Sequence, residues 1–495
     1  MSGRKNFMGK KLKINYLLNT TYQVLVILVP VITTPYISRV LGASGVGVYS
    51  YTYSIVSYFI LLSSLGSSTY GRREIAYCQD NRELRSIKFW TVFSLKAVTG
   101  SISISLYLLY IFLYAGAYKD IALIQSLYLF ADLFDIIWLF QGMEDFKRVV
   151  IRNATLKLIN ICFIFSFVKN TNDVWLYTII LSGMNVVANL SMWLSAPKYI
   201  SFIPLKKLRP FSIFKEEFSL FLPTIAVQMY TYLDKSMIGL FSVGTVENGY
   251  YEQTEKIVRM ALAVVTSLGT VMTPRIAKLF SEGRMDAIQE NIRKSFRFTC
   301  MLALPVMFGI IAVSQNFVPV FFGKGFEKIS VLLPLYALVI PFVSLSNLLG
   351  IQFLIPIGKQ NAYTAAVSLS AILNIFVNFI LIPRYYSVGA CIATIIAEAI
   401  GSLYMVGYCR KKRLLQLKYI FADSRNYIVA SALMCCIILV ASRIAKETVS
   451  SLIILIVIGM GIYFATLTLL KDRIIMDSIS LCRNKMKGAT DHDRK

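Results

Sequence analysis

Four ionisable residues, Glu252, Glu255, Lys256 and Arg259, stand close together in an otherwise apolar part of the chain. At 100° per residue they share an arc of about 100°, so one face of the helix they form is ionic. A charge facing hydrocarbon costs at least a few kcal/mol, so this face must line a wet cavity or meet partners on another helix. Lysine and arginine placed there suit phosphate, the first as a point charge and the second as a planar fork. Sliding the sequence by 202 positions lays Ser50, Tyr53, Ser54 and Ser57 over the same four places. Hydroxyls both donate and accept hydrogen bonds, which suits sugar. Small residues also let helices approach closely, and the two readings of the serine stripe stand side by side.

Other ionisable groups sit in apolar surroundings: Asp132 and Asp135 one turn apart, Asp234 beside Lys235, Glu398, and the cations Lys96 and Lys157. Pairing of Asp with Lys across neighbouring helices satisfies them structurally. A buried carboxylate can equally carry a proton, because desolvation favours its neutral form. The candidate ion-coupling groups are therefore Asp132, Asp135, Asp234, Glu252, Glu255 and Glu398, and the sequence does not choose among them.

Enzyme chemistry finds little support. The single histidine, His492, lies in the hydrophilic tail, which removes the commonest general base and metal ligand from any active site. The eight cysteines lie mostly in apolar segments, as do Cys162, Cys391, Cys435 and Cys436, without metal-ligand spacing. Gly-rich phosphate loops are absent, and the connecting loops leave no room for a soluble catalytic domain. A transporter without metal or cofactor is expected.

The elements that position these groups follow from composition. Apolar residues make up 56% of the chain and charged ones 16%, so the solvent is lipid. Runs of roughly 20 apolar residues without period-two alternation mean helices rather than a closed barrel. The fold class is all-α, a polytopic membrane protein of about 14 transmembrane helices. Spans are predicted at 16–37, 46–65, 89–112, 121–140, 149–168 and 174–194, then at 218–241, 252–271, 298–317, 331–355, 362–382 and 388–408. Two more follow at 427–442 and 452–470. This divides the chain into an amino-terminal lobe over 1–200, a carboxy-terminal lobe over 201–415, and two additional helices with a tail over 416–495.

The eighth span has a short apolar part, Met260 to Met272. Deleting it would put the loop Arg275 to Arg297 and the run Arg410 to Arg413 outside, against the charge rule, so it is kept. Most Lys and Arg then fall in alternate loops, which places both termini in the cytoplasm. The net charge of +25 belongs to those loops, and no nucleic-acid partner is expected. The basic residues 1–13 lead into an apolar stretch longer than a signal-peptide core, without a cleavage site. Pro30 and Pro35 interrupt the first span, either as bending points or as tolerated membrane prolines.

The shift of 202 also aligns Gly42, Gly47, Tyr49 and Thr52 with Gly244, Gly249, Tyr251 and Thr254. Ile55, Val56 and Arg73 meet Ile257, Val258 and Arg275. The offset carries six helices, an even number, so the two copies enter the membrane in one direction and should enclose a cavity about an axis along the membrane normal. Glycine-rich turns that look alike in any polytopic protein are the lesser alternative.

The stretch Gly42-Ala43-Ser44-Gly45-Val46-Gly47-Val48-Tyr49-Ser50-Tyr51, with Tyr58-Phe59, Leu65-Gly66 and Tyr70-Gly71-Arg72-Arg73-Glu74-Ile75-Ala76, resembles the signature of polysaccharide-repeat flippases. These belong to the multidrug/oligosaccharidyl-lipid/polysaccharide exporter superfamily. Asp135-Ile136-Ile137-Trp138-Leu139-Phe140-Gln141-Gly142 with Glu144 is similar too, as is Gly358-Lys359-Gln360-Asn361 followed by Asn374, Asn378, Pro383 and Gly389-Ala390. The resemblance implies two six-helix lobes around a cationic cavity, two extra carboxy-terminal helices, and alternating access driven by an ion gradient. It implies oligosaccharides on undecaprenyl pyrophosphate as cargo, a bacterial cytoplasmic membrane, and a polysaccharide polymerase and chain-length regulator as partners. It implies cavity-facing charge at Arg39, Lys235, Lys256 and Arg259.

Two relatives of that branch remain rivals. A drug or cation antiporter would call for a carboxylate-dominated apolar cavity, whereas the second half here presents cations. A peptidoglycan-precursor flippase fits fourteen helices equally well, and the blocks around Tyr49 and Tyr70 favour the polysaccharide branch. A membrane glycosyltransferase or polymerase would need a large external loop or an acidic metal motif.

Overall fold

Many apolar side chains lie on the outer surface while several polar and charged ones are buried beside the apolar cores. In this computed structural model the backbone is described for residues 2–204, 206, 208–267, 269–416 and 424–477, and side chains from 28 onward except 222–227, 229, 230, 270 and 271. Ile102, Leu106, Leu109, Phe112 and Leu113 lie exposed along one helix, and Ile453, Ile454, Val457 and Ile458 along another. Lys96, Gln125, Glu217, Asp234, Asn374 and Asn378 are buried. Hydrocarbon outside and polar groups inside is what a bilayer selects.

Every regular element among the described residues is helical. Helix α1 (Ser2–Ser64) breaks at Gly42, whose φ is 67°, and its two arms carry the first two predicted spans. The short α2 (Ser67–Tyr77) leads to α3 (Arg82–Tyr114), α4 (Lys119–Leu133), α5 (Ile137–Gly142), α6 (Phe146–Phe167) and α7 (Val174–Trp193). Then come α8 (Phe214–Phe241), α9 (Val246–Thr266), α10 (Gly269–Ser281), α11 (Met285–Phe322), α12 (Ile329–Ala337) and α13 (Val339–Ser346). After a π-helical stretch, Asn347–Leu354, come α14 (Gln360–Lys411), α15 (Arg425–Ile444) and α16 (Val449–Leu469). Helix α14 breaks at Tyr386, with φ 48°.

Ten helical stretches among the described residues are long and apolar enough to cross a membrane. Two of them cover more than one predicted span: Leu28–Tyr77 takes in part of the first and all of the second, and Gln360–Lys411 all of the eleventh and twelfth. Helix α9 is too charged to belong to that group. The fourth predicted span is broken after Leu133, where the Asp135 carboxylate accepts a hydrogen bond from the Ile137 N–H at 2.9 Å and starts α5. The segment Arg275 to Arg297, expected as a loop, is helical on both sides of a turn at Gly283. Its apolar residues explain this, since Ile276, Leu279, Ile288 and Ile292 are buried in one core with Leu348 and Phe353.

The chain divides into two compact units, Met1–Glu252 with Asn378–Ser387, and Gln253–Val377 with Val388–Lys495. In the first, Phe89, Trp138 and Phe140 form an aromatic core with Tyr70 and Met192, the Phe89 and Trp138 rings stacking at 5.1 Å. In the second, α11, α15 and α16 share a core of Ala312, Tyr427, Met434, Ile438, Leu455 and Tyr463.

The repeated glycine motif meets itself inside the first unit. Gly42 and Gly244 both take left-handed backbone, φ 67° and 77°. A Cβ on Gly47 would stand 1.8 Å from the Thr245 carbonyl oxygen, and a Cβ on Gly249 2.0 Å from that of Ala43. Ala43 corresponds to Thr245 and Gly47 to Gly249 under the repeat, so this contact is isologous, as between copies related by a two-fold axis. Chance likeness of turns does not produce such reciprocity. Gly249→Ala is expected to destabilise by about 1–3 kcal/mol or more, since backbone has to move. Thermal unfolding in detergent measures it, and wild-type stability would show that the two segments are not packed this way.

Candidate functional site

An ion pair within the first unit joins α8 to α9. Lys235 Nζ lies 2.6 Å from Glu252 Oε2, with 12% and 18% of the two side chains exposed. Ser50 of α1 donates to the same oxygen at 2.8 Å. Ser50 and Glu252 are themselves repeat-related positions. The Lys235 backbone is fixed from α9, because Asn248 Nδ2 donates to its carbonyl at 2.6 Å. A lysine so held, yet not fully enclosed, keeps a charge that a phosphate can contact.

Tyrosines surround it. Tyr53 stacks on Tyr49 at 5.7 Å and meets Tyr128 and Tyr232 edge-on at 5.1 and 6.3 Å. The Tyr49 and Tyr128 hydroxyls are 2.8 Å apart, and Tyr177 packs edge-on against Tyr49 at 5.0 Å. Aromatic faces with hydroxyl rims suit sugars, which present C–H faces and O–H edges. Two members of the serine stripe are engaged in this conformation, Ser54 with a neighbouring helix and Ser57 with the backbone of its own. Ser54 lies 2.9 Å from Ser236 on α8 and Ser57 donates to the Tyr53 carbonyl at 2.7 Å.

Asp234 is 3% exposed. It accepts from the Tyr251 hydroxyl at 2.5 Å and from Asn378 Nδ2 at 2.6 Å. Arg39 lies exposed on α1 before the Gly42 break. Asp132 accepts from Ser63 at 2.7 Å and faces Lys96 Nζ at 3.6 Å, while Lys96 also donates to the Asp135 carbonyl at 3.2 Å.

The second unit holds the rest of the ionic face of α9. Arg259 reaches back one turn to Glu255, with NH2 at 2.6 Å and Nε at 2.8 Å from Oε1. Glu255 is buried while the Arg259 side chain is 56% exposed, so the guanidinium keeps a face for solvent or ligand. Lys256 is half-buried on the same helix, and Glu398 stands on α14 near Tyr363. A separate cavity of about 440 Å³ in this unit is lined by apolar groups, among them Met301, Pro305, Met434, Leu455 and Phe464.

A family of polysaccharide biosynthesis proteins matches residues 12–280, more than half of the chain and all of the ion-pair residues just described. The chain belongs to this family. The model of a second family, lipid II flippase MurJ, matches residues 148–459. A protein of Shigella dysenteriae named "Putative O-antigen transporter" is 25% identical over 386 residues, covering 77% of this chain and 95% of its own. A protein of the same name from Escherichia coli K12 is 24% identical over 396 residues, covering 78% and 94%. Among solved structures, lipid II flippase MurJ in an inward closed conformation superposes with a TM-score of 0.73 over 93% of this chain and 99% of that one. At 17% identity this likeness speaks for the fold. The chain is thus a multi-pass membrane protein whose relatives are named as transporters and flippases.

For this family member, sequence reasoning missed two features. One is the ring of tyrosines around the expected Tyr53, of which Tyr49, four residues before it on the same helix face, was a signal available from spacing alone. The other is Glu217, placed just outside the seventh span. Helix α8 begins at Phe214, which draws Glu217 into the interior at 1% exposure.

Proposed function

We propose that this protein is a flippase for oligosaccharide repeat units on undecaprenyl pyrophosphate, moving them across a bacterial cytoplasmic membrane for assembly of a surface polysaccharide. The observation that carries the reading is a partly open lysine, Lys235, held against Glu252 beside a cluster of tyrosines in a chain whose outward surface is hydrocarbon. A pyrophosphate bearing sugars cannot enter roughly 30 Å of hydrocarbon unaided, because each unpaired polar group costs several kcal/mol. Lys235 supplies a cation for the diphosphate, and Arg39, Lys256 and Arg259 are further candidates for that role. Tyr53 and its neighbours, with Ser50, Ser54 and Ser57 where they become accessible, supply stacking and hydrogen bonds for sugar.

The apolar cavity of the second unit suits hydrocarbon, and the polyprenyl chain can otherwise remain in lipid. Two six-helix lobes with two further helices, fourteen spans and cytoplasmic termini complete the proposed topology. Alternating access requires that the grip on the diphosphate weaken in the outward state. Asp132, Asp135, Asp234, Glu252, Glu255 and Glu398 are the proposed carriers of the driving ion. The names of the two relatives support an O-antigen-type cargo, and polymerase and chain-length regulator are the partners such a pathway would supply.

A second reading, transport of the peptidoglycan lipid precursor, is favoured by the MurJ match over residues 148–459. Both are tested with purified protein in vesicles containing polyprenyl-pyrophosphate oligosaccharide labelled with a fluorophore on the sugar. The expected result is protein-dependent loss of protection from an impermeant quencher, with lipid II competing poorly. Strong competition by lipid II would favour the second reading, and cargo that stays in its starting leaflet in either case would reject both.

A further inference from the structure

Glu217 is a carboxyl group enclosed in the first unit. It is 1% exposed, and among the described residues its Oε1 has no hydrogen-bond donor. Among the described residues, the cation close enough for its charge to act on this carboxyl is Lys96 of α3, itself 1% exposed. Lys96, however, is already engaged by Asp132 Oδ1 at 3.6 Å and by the Asp135 carbonyl at 3.2 Å. Asp132 in turn has its second oxygen satisfied by Ser63 at 2.7 Å. One lysine thus faces two buried carboxyls, and it is committed to the other one.

The groups on each element around Glu217 do not change this balance. From α2 come Tyr70, Arg73 and Glu74, and from α3 Lys88 besides Lys96. Arg73 pairs with Glu74 at 3.3 Å and with Glu216 at 3.2 Å, and Lys88 pairs with Glu74 at 2.8 Å, so that outer cluster is neutral by itself. On α4, Lys119 and Asp120 are exposed at its start and Asp132 is already paired, while the Asp135 carboxylate beyond it accepts from the Ile137 N–H. On α8 itself Lys215 is exposed, as is Arg209 in the turn before it, and the second arm of α1, residues 43–64, carries no charged residue. A buried, uncompensated carboxylate is far costlier than a buried carboxylic acid, so electroneutrality places one proton in this cluster. Asp132, which accepts a hydrogen bond from Ser63 and faces the Lys96 ammonium at 3.6 Å, has surroundings that favour its anion and is the poorer place for it. A metal ion in that place would need several oxygen ligands converging on Glu217, and among the described residues no group of three or more His, Cys, Asp or Glu could hold one.

We propose that Glu217 is a proton-binding site of the transport cycle, loaded in the conformation seen here and unloaded in the one that lets water reach it. On unloading, the carboxyl O–H bond breaks, the proton passes to water on the open side, and the remaining carboxylate is compensated by Lys96, which Asp132 then shares. The site links α8 to α3 and α4, so the proton's presence biases how these helices pack. This rests on the reading of the chain as a gradient-driven flippase, and two readouts keep the two ideas apart.

The first is infrared spectroscopy of the purified full chain, wild type against Glu217→Gln, across a pH series. A carboxylic-acid carbonyl band present in wild type at neutral pH and missing in E217Q is the expected result. No such difference at any pH would overturn the proposal, whatever the protein transports. The second is the ratio of labelled-cargo flipping with and without a pH gradient in vesicles. That ratio is expected to exceed one in wild type and to fall to about one in E217Q, and an unchanged ratio in the variant would overturn the coupling role. Glutamine is the isostere of the protonated acid, so E217Q that fails to fold would also count against a proton on Glu217. Wild-type protein that flips nothing, with the infrared band in place, would sink the flippase reading while leaving the proton site standing.

Discussion

Lys235→Ala is expected to reduce transbilayer movement of the lipid-linked cargo by about 10- to 100-fold while the folded protein stays in the membrane at normal abundance. The size follows from the bond it removes, since a hydrogen bond between charged groups contributes about 1.5–3 kcal/mol. The protein itself should tolerate the change, because Glu252 keeps its bond from Ser50 and is 18% exposed. The alternative is that Lys235 only neutralises Glu252. Lys235→Ala combined with Glu252→Gln separates these roles, because a purely structural pair restores function when both charges are removed. A lysine that grips phosphate does not. Flipping in vesicles and surface polymer in cells are the measurements, with Arg259→Ala beside them. Intact polymer in both single variants would remove these residues from the mechanism.

How much of this arrangement the sequence announced differs from residue to residue. The apolar runs located helices well, because a bilayer allows few other solutions. The break after Leu133 was hidden, since hydropathy averages over the Asp135 turn that interrupts an otherwise apolar run. The pairing of Ser50 with Glu252 was legible only as two members of a repeat. Nothing in a list of equivalent positions says that they touch, and it takes the close approach of Gly47 and Gly249 to bring them together. Glu217 escaped because a charged residue next to an apolar run reads as the end of a span, and its burial depends on neighbours distant in sequence.

Lys96→Met should have the largest effect on stability, a loss of about 3–5 kcal/mol, because it strands a buried carboxylate without its cation. The side chain of Lys96 is wholly enclosed. Thermal unfolding in detergent, together with the yield of monodisperse protein, measures the loss. The second substitution that repairs it identifies the carboxyl that needed the charge. Lys96→Met with Asp132→Asn removes both members of the 3.6 Å pair and should recover much of the stability, since neutral isosteres in place of a buried pair are often harmless. Lys96→Met with Glu217→Gln should recover almost none, because a Glu217 that already carries a proton had no charge to compensate. Recovery by the glutamine instead would mean that Glu217 is the ionised member and Asp132 the protonated one, which would move the proton one helix over, from α8 to α4.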